Sequence, residues 1–284
     1  MRGRVENSTE SGLESEPTVE VGLRTPLLDF FRRGEVARDI RLLAAQGALA
    51  PRAHEQLALL MLLVSDHDPE VSSAAEATLA AIPRASLQAF LARSDAGAEL
   101  RDFFAKRGIE PEGAPAELDI PLLDLAPEPE PLPEPPADAA ADQQTEDERR
   151  DSVTQRLGAM TVAQKMNVAM KGSREERGIL IRDPNKLVST SVLSSPKLTE
   201  SEVESIAKMT NVSEEILRIV GNTRAWVKNY NVALALVRNP KSPVALSMNL
   251  LNRMNDKDLR QLSTNRNVAE ILRVTARKKV VIDK

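Results

Sequence analysis

Apolar residues recur at helical spacing along most of the chain outside one proline-rich stretch. Leu27, Leu28, Phe30 and Phe31 open a first helix, and Val36, Ile40 and Leu43 follow at intervals of four and three. Pro51 suits the first turn of a helix carrying Leu57, Leu60, Met61 and Val64. Asp68-Pro69-Glu70-Val71 reads as a helix cap, a first-turn proline, an acidic first turn and then core, with Ala75, Leu79 and Ile82 continuing the face. Leu87, Phe90 and Leu91, then Leu100, Phe103 and Phe104, predict two further short helices. The nearest approach to a strand pattern, Lys279-Val280-Val281-Ile282, is too short to build a sheet.

The second half of the chain repeats itself. Ile181-Arg182-Asp183-Pro184 recurs as Val237-Arg238-Asn239-Pro240, 56 residues later, and Val188, Ser191, Thr199 and Val203 match Val244, Ser247, Asn255 and Leu259 at the same offset. After a one-residue slip, Glu215-Ile216-Leu217-Arg218-Ile219 matches Glu270-Ile271-Leu272-Arg273-Val274. Thr199-x-x-Glu202 is a capping box opening a helix with Val203, Ile206 and Ala207 on one side, and Ser213 caps another. Asp183-Pro184 and Asn239-Pro240 end helices in tight turns. Ser242-Pro243 restarts one in which Val244, Met248 and Leu251 are expected to face inward. A weaker third copy begins at Thr161. A fixed period with apolar positions in register is the mark of stacked helical repeats, which generally present binding surfaces.

These patterns predict an all-α protein of HEAT-like helical repeats, an α-solenoid in two modules. A leader over 1–23, rich in Glu and Ser, is expected to be disordered. A helical bundle follows over 24–110, then an acidic, proline-rich linker over 111–150 and a basic helical-repeat domain over 151–284. Nine of the 18 prolines fall between Pro111 and Pro136, and a run such as Pro127-Glu128-Pro129-Glu130-Pro131 cannot be helical, which predicts an extended spacer. Residues 112–150 carry 12 acidic side chains against two basic, whereas residues 151–284 carry 23 basic against 13 acidic. Opposite charge on one chain admits an intramolecular contact between residues 112–150 and the basic domain.

Composition removes several classes of function. The chain has no cysteine, so disulfides, thiolate metal sites and cysteine nucleophiles are excluded. Met1 to Val21 is polar and acidic, and no window approaches 18 uninterrupted apolar residues, so no membrane insertion is expected and the cytoplasm is the expected compartment. Only two histidines exist; His67, between Asp66 and Asp68, reads as part of a solvated helix cap, and His54 as a boundary residue. Phosphate-binding glycine loops, HExxH and GxSxG are absent, and Ser194-x-x-Lys197 and Ser205-x-x-Lys208 match an acyl-serine pattern only by chance. No catalytic residue, cofactor or metal is therefore assigned.

The stretch from Ser194-Ser195-Pro196-Lys197-Leu198-Thr199 through Arg273 resembles bacterial HEAT-like repeat proteins, both the leucine-rich-repeat-variant type and an uncharacterised bacterial family with recurring SP-x-L-T/S turns. The resemblance covers about the last 120 residues and implies architecture rather than chemistry. The cysteine cluster found in some of those proteins is missing, so no iron–sulfur site is implied.

The candidate surface is the basic one. Residues 221–284 hold 13 Lys and Arg against four acidic residues. Arg224, Lys228, Arg238, Lys241, Arg253, Lys257, Arg260, Arg266, Arg273 and Arg277 are its candidate contacts, with Trp226 and Tyr230 as candidate stacking rings. The expected function is a non-catalytic adaptor that binds another protein with an acidic surface. The alternative is nucleic-acid binding by the basic module. The charged tail, Arg277 to Lys284, is expected to cap the last repeat.

Overall fold

The computed structural model describes residues 25–50, 52–123 and 146–282. The expected leader, Pro51, most of the proline-rich stretch and the last two residues lie outside them. Every element described is helical.

The N-terminal module comprises α1 (Pro26–Arg32), α2 (Arg38–Ala45), α3 (Ala53–Leu63), α4 (Pro69–Ala81), α5 (Arg84–Leu91) and α6 (Ala98–Ala105). The cap predicted at Asp68 is in place, and Thr25 supplies another. The Thr25 and Asp68 side chains accept from the amides of Leu28 and Glu70, and each is followed by a first-turn proline. Leu57, Leu60, Phe90, Leu100 and Phe104 are buried together, and α3 packs on α1, α2, α4 and α6.

The C-terminal module comprises α7 (Glu146–Ala159), α8 (Val162–Lys171), α9 (Arg174–Leu180), α10 (Lys186–Leu193), α11 (Glu200–Lys208), α12 (Glu214–Asn222), α13 (Arg224–Val227), α14 (Tyr230–Arg238), α15 (Val244–Leu251), α16 (Asp256–Thr264) and α17 (Glu270–Ile282). Capping boxes open α8, α9 and α11, where Thr161, Ser173 and Thr199 face Gln164, Glu176 and Glu202. At an offset of 56 residues the helices α9–α12 correspond in order to α14–α17, and α11 and α16 correspond end to end. Contacts run mainly between helices close in sequence, α8 with α10, α11 with α14, α16 with α17. At Gly221 on α12 any β-carbon would collide with the Leu246 side chain, so glycine permits the close approach of α12 to α15.

One ion pair recurs through this module. The third residue of α9, Glu176, binds Arg156 of α7. The third residue of α11, Glu202, binds Arg177 of α9 at 2.7 Å, and the third residue of α16, Asp258, binds Arg238 of α14 at 2.8 Å. Arg177 and Glu202 are buried, and the Arg177 guanidinium also donates to the carbonyls of Gly172 and Lys197. Burial pulls the Glu202 carboxyl upward, but the Thr199 amide and hydroxyl and the Arg177 guanidinium outweigh it and hold its pKa below the ordinary value.

The two modules touch. Helix α1 packs on α10, and a cavity of about 400 Å³ lies between them, lined by Phe30, Asp39 and Ile40 on one side and Val162, Lys186 and Leu187 on the other. Leu187 through Ser195 are all buried, although five of the nine are Ser or Thr. Glu55 of α3 sits at this junction, only 3 % exposed. Thr25 and Ser194 are near enough to influence its titration, yet its Oε2 and the Ser194 hydroxyl make no hydrogen bond. Burial raises the Glu55 pKa above the usual carboxylate value, against the lowering effects of Thr25, Arg52 and Ser194.

The first part of the proline-rich stretch is bound to the N-terminal module. Gln56, itself buried, accepts from the amides of Leu122 (2.8 Å) and Leu123 (3.2 Å) through Oε1 and donates to the Leu123 carbonyl. The amide of His54 donates to Asp119 at 3.1 Å, and that of Ala116 to the Ala89 carbonyl at 3.0 Å. Residues 111–123 thus form a strap laid across α3 and α5.

One expectation fails in detail. Val244 was expected to face inward, but it is exposed and Met248 is half-buried; Leu251 alone of the three is fully buried. Its equivalent in the first copy, Val188, is buried because α10 has α8, α9 and α1 around it.

Replacing Arg177 with Ala leaves Glu202 buried and unpaired and is expected to cost about 3–5 kcal/mol, read as a fall in the urea midpoint. Glu55 carries the opposite sign. A raised native pKa means the folded chain binds a proton that the unfolded chain releases, so its contribution to stability is lost as pH rises through and above the ordinary carboxylate range. Glu55→Gln is expected to raise the melting temperature at neutral pH and to flatten its pH dependence between acidic and neutral conditions; an unchanged profile would refute the assignment.

Candidate binding groove

A concavity of about 640 Å³ on the C-terminal module lies between α11, α14 and the C-terminal cap of α16. Helix α14 supplies Asn231, Leu234, Ala235 and Arg238, which share a face at spacings of three, four and seven. Helix α11 supplies Glu204 and Lys208, and the turn between α16 and α17 supplies Asn265 and Asn267. Helix α14 lies between the other two: it packs on α11, and its Tyr230 and Arg238 reach Asp258 of α16.

The amides of this groove divide into two kinds. Asn239 is buried and committed. Its Nδ2 donates to the carbonyls of Ala207 and Met209, both at 2.8 Å, and its Oδ1 accepts from the amide of Lys241 at 3.0 Å. It closes the end of α14 onto the end of α11. Its repeat equivalent, Asp183, does the same work with a charge, accepting from the amide of Asn185 at 2.8 Å and pairing with Lys165 at 3.0 Å. Asn231 and Asn267 are exposed, and their side-chain amides bond to none of the described residues; Asn265 accepts from the Asn267 amide through Oδ1 and keeps its NH2. A primary amide offers both a donor and an acceptor, the same pair a peptide group presents. Lys208 is held by Glu204 at 2.5 Å, and Arg238 by Asp258 and Gln261, so the two cations of the groove have fixed positions.

The sequence-predicted basic residues spread more widely than this groove. Arg238 alone of them lines it. Arg224, Lys228, Lys241, Arg253, Lys257, Arg260, Arg266 and Arg277 are exposed and form no ion pair with any of the described residues; Arg273 is half-buried. The two aromatic candidates are not free ring faces. Trp226 packs half-buried against the core, and the Tyr230 hydroxyl donates to Asp258 at 2.6 Å while accepting from the Asn255 amide at 3.2 Å. Burial, then Asp258, raise the Tyr230 pKa in spite of the Asn255 amide, so the hydroxyl stays a donor. Four asparagines, Asn231, Asn239, Asn265 and Asn267, line the cavity, and none of them was among the sequence-predicted contacts.

The histidines and acids of the N-terminal module lie elsewhere. His54 sits edge-on to Phe90 at 6.2 Å, and burial lowers its pKa, so the ring is neutral. His67 is exposed, and its neighbour Asp66 is held by Arg41 at 2.9 Å. Among the described residues no three His, Cys, Asp or Glu side chains gather as metal ligands, and no helix is long and apolar enough to cross a membrane.

Comparison with protein-family models, with curated proteins and with solved structures gives no match. The groove therefore rests on its own geometry.

The two kinds of amide separate by stability. Asn239→Ala strips the partner from two carbonyls and is expected to cost at least about 2 kcal/mol in urea unfolding. Asn267→Ala, at an exposed side chain, is expected to change stability by no more than about 0.5 kcal/mol.

Proposed function

We propose that the chain is a cytoplasmic, non-catalytic adaptor of the HEAT-like class, with its C-terminal helices arranged as a solenoid and the α11–α14–α16 groove holding an extended segment of another protein. The observation that carries this reading is the combination in one concavity of an apolar strip, Leu234 and Ala235, with amides free to pair with a peptide backbone, Asn231 and Asn267. Lys208, together with Lys241 and Arg266 beside the lining residues Pro240 and Asn265, favours a segment with acidic side chains. Repeats that contact mainly near neighbours build such grooves as a by-product of stacking.

A display library of linear peptides selected on the full chain tests the reading. Enriched peptides are expected to be acidic, and to bind an Asn231→Ala/Asn267→Ala chain about tenfold or more weakly, the loss of two backbone hydrogen bonds. Equal binding to both chains would sink the groove as the site. The exposed cations support a second reading, nucleic-acid binding outside the groove. It requires affinity for single-stranded DNA or RNA that falls steeply with salt and weakens on Lys257→Ser/Arg260→Ser.

A further inference from the structure

Five large apolar side chains are exposed among the described residues, and they fall in two places. Leu118 (67 %) and Ile120 (60 %) stand on the strap; Val244 (43 %), Ile271 (55 %) and Val274 (41 %) stand on α15 and α17, which pack together. The strap is pinned at Asp119 by the His54 amide and at Leu122 and Leu123 by Gln56. Asp119 is half-buried between Leu118 and Ile120, which both face solvent.

The two places carry opposite charge. Glu110 and Glu117 are exposed along the strap, and Glu112 is held only by Gln88. Around the α15–α17 end, Lys241, Arg253, Arg277 and Lys278 are exposed, against the acids Asp256 and Glu270. The repeat supplies a third observation. Val188 and Leu193 of α10 are buried, with α8 and α1 packed on that helix; their equivalents on α15, Val244 and Asn249, are exposed. The second copy thus leaves uncovered a face that the first copy covers.

We propose that the strap of one molecule docks on the α15–α17 end of a second copy of the chain, its acidic residues against the basic rim and Leu118 and Ile120 against Val244, Ile271 and Val274. None of these residues lines the groove and only Lys241 lies beside it, so Leu118→Asp and Ile271→Asp test this contact apart from peptide binding there. The two surfaces are different, so the contact is head-to-tail, and it extends into longer assemblies unless its rotation closes a ring.

Sedimentation of the full chain over a concentration series, at low and high salt, tests this. The average mass is expected to rise with concentration at low salt and to fall back as salt screens the rim. Leu118→Asp and Ile271→Asp are each expected to be monomeric, with circular dichroism and melting unchanged because both positions are exposed. Mixed in equal amounts, the two variants are expected to form a dimer and nothing larger, since one keeps only a working end and the other only a working strap. A wild-type chain that stays monomeric into the millimolar range overturns the proposal. So does an assembly that either substitution leaves intact, or a mixture that stays monomeric.

Discussion

The pairing of an arginine with the third residue of the helix two places further on is the interaction on which the C-terminal module depends. It answers two needs at once. A helix start has unsatisfied amides and a positive end, so an acid there is already stabilised. Receiving an arginine from an earlier helix turns that local feature into a tertiary one. Short helices of seven to nine residues, such as α9, α11 and α16, have little intrinsic stability, and such ties fix their register where packing of small aliphatic side chains alone would allow sliding.

The N-terminal module holds its parts by different means. Its charged ties follow no single helix position: Arg41 holds Asp66 and Arg38 holds Asp68, while Gln56 reads the backbone of the strap and Thr25 and Asp68 cap helices. At the junction the balance is less favourable, since Glu55 is buried between the modules without a full set of partners. The joint is therefore the place where protonation and packing are coupled, and where the two modules depend most on each other.

What was legible in the sequence were the features that act over a few residues. Asp68, Thr199 and Ser213 were readable as caps because cap and amide lie within three positions. The helices followed from apolar spacing. The identities of the ties did not follow. Arg182 is the sequence equivalent of Arg238, yet it bonds the Gly178 carbonyl, and Arg177 makes the ion pair instead. Val244 was misplaced because its burial depends on which helix lies across it, and only the first copy has one from the other module. Gln56 and Glu55 looked like ordinary helix polar residues, since the groups that bury them lie more than 60 positions away. The basic residues were visible one by one, but the groove is assembled from segments far apart in the chain, and four of its lining residues are asparagines, which no charge count detects.

The skip of the arginine ties has a consequence for how such a chain grows. A tie joins a helix to the one after next, so inserting or losing a single helix would leave an arginine facing the wrong neighbour and an acid without its cation. Gain or loss of helices in pairs preserves the parity of the ties. The 56-residue copy, four helices long, is two such pairs. The short α13 lies outside this scheme: it is wedged between the two copies, with no arginine tie assigned to it. Lineages of this architecture are thus expected to differ in length by even numbers of helices, with odd ones surviving only where they interrupt no tie.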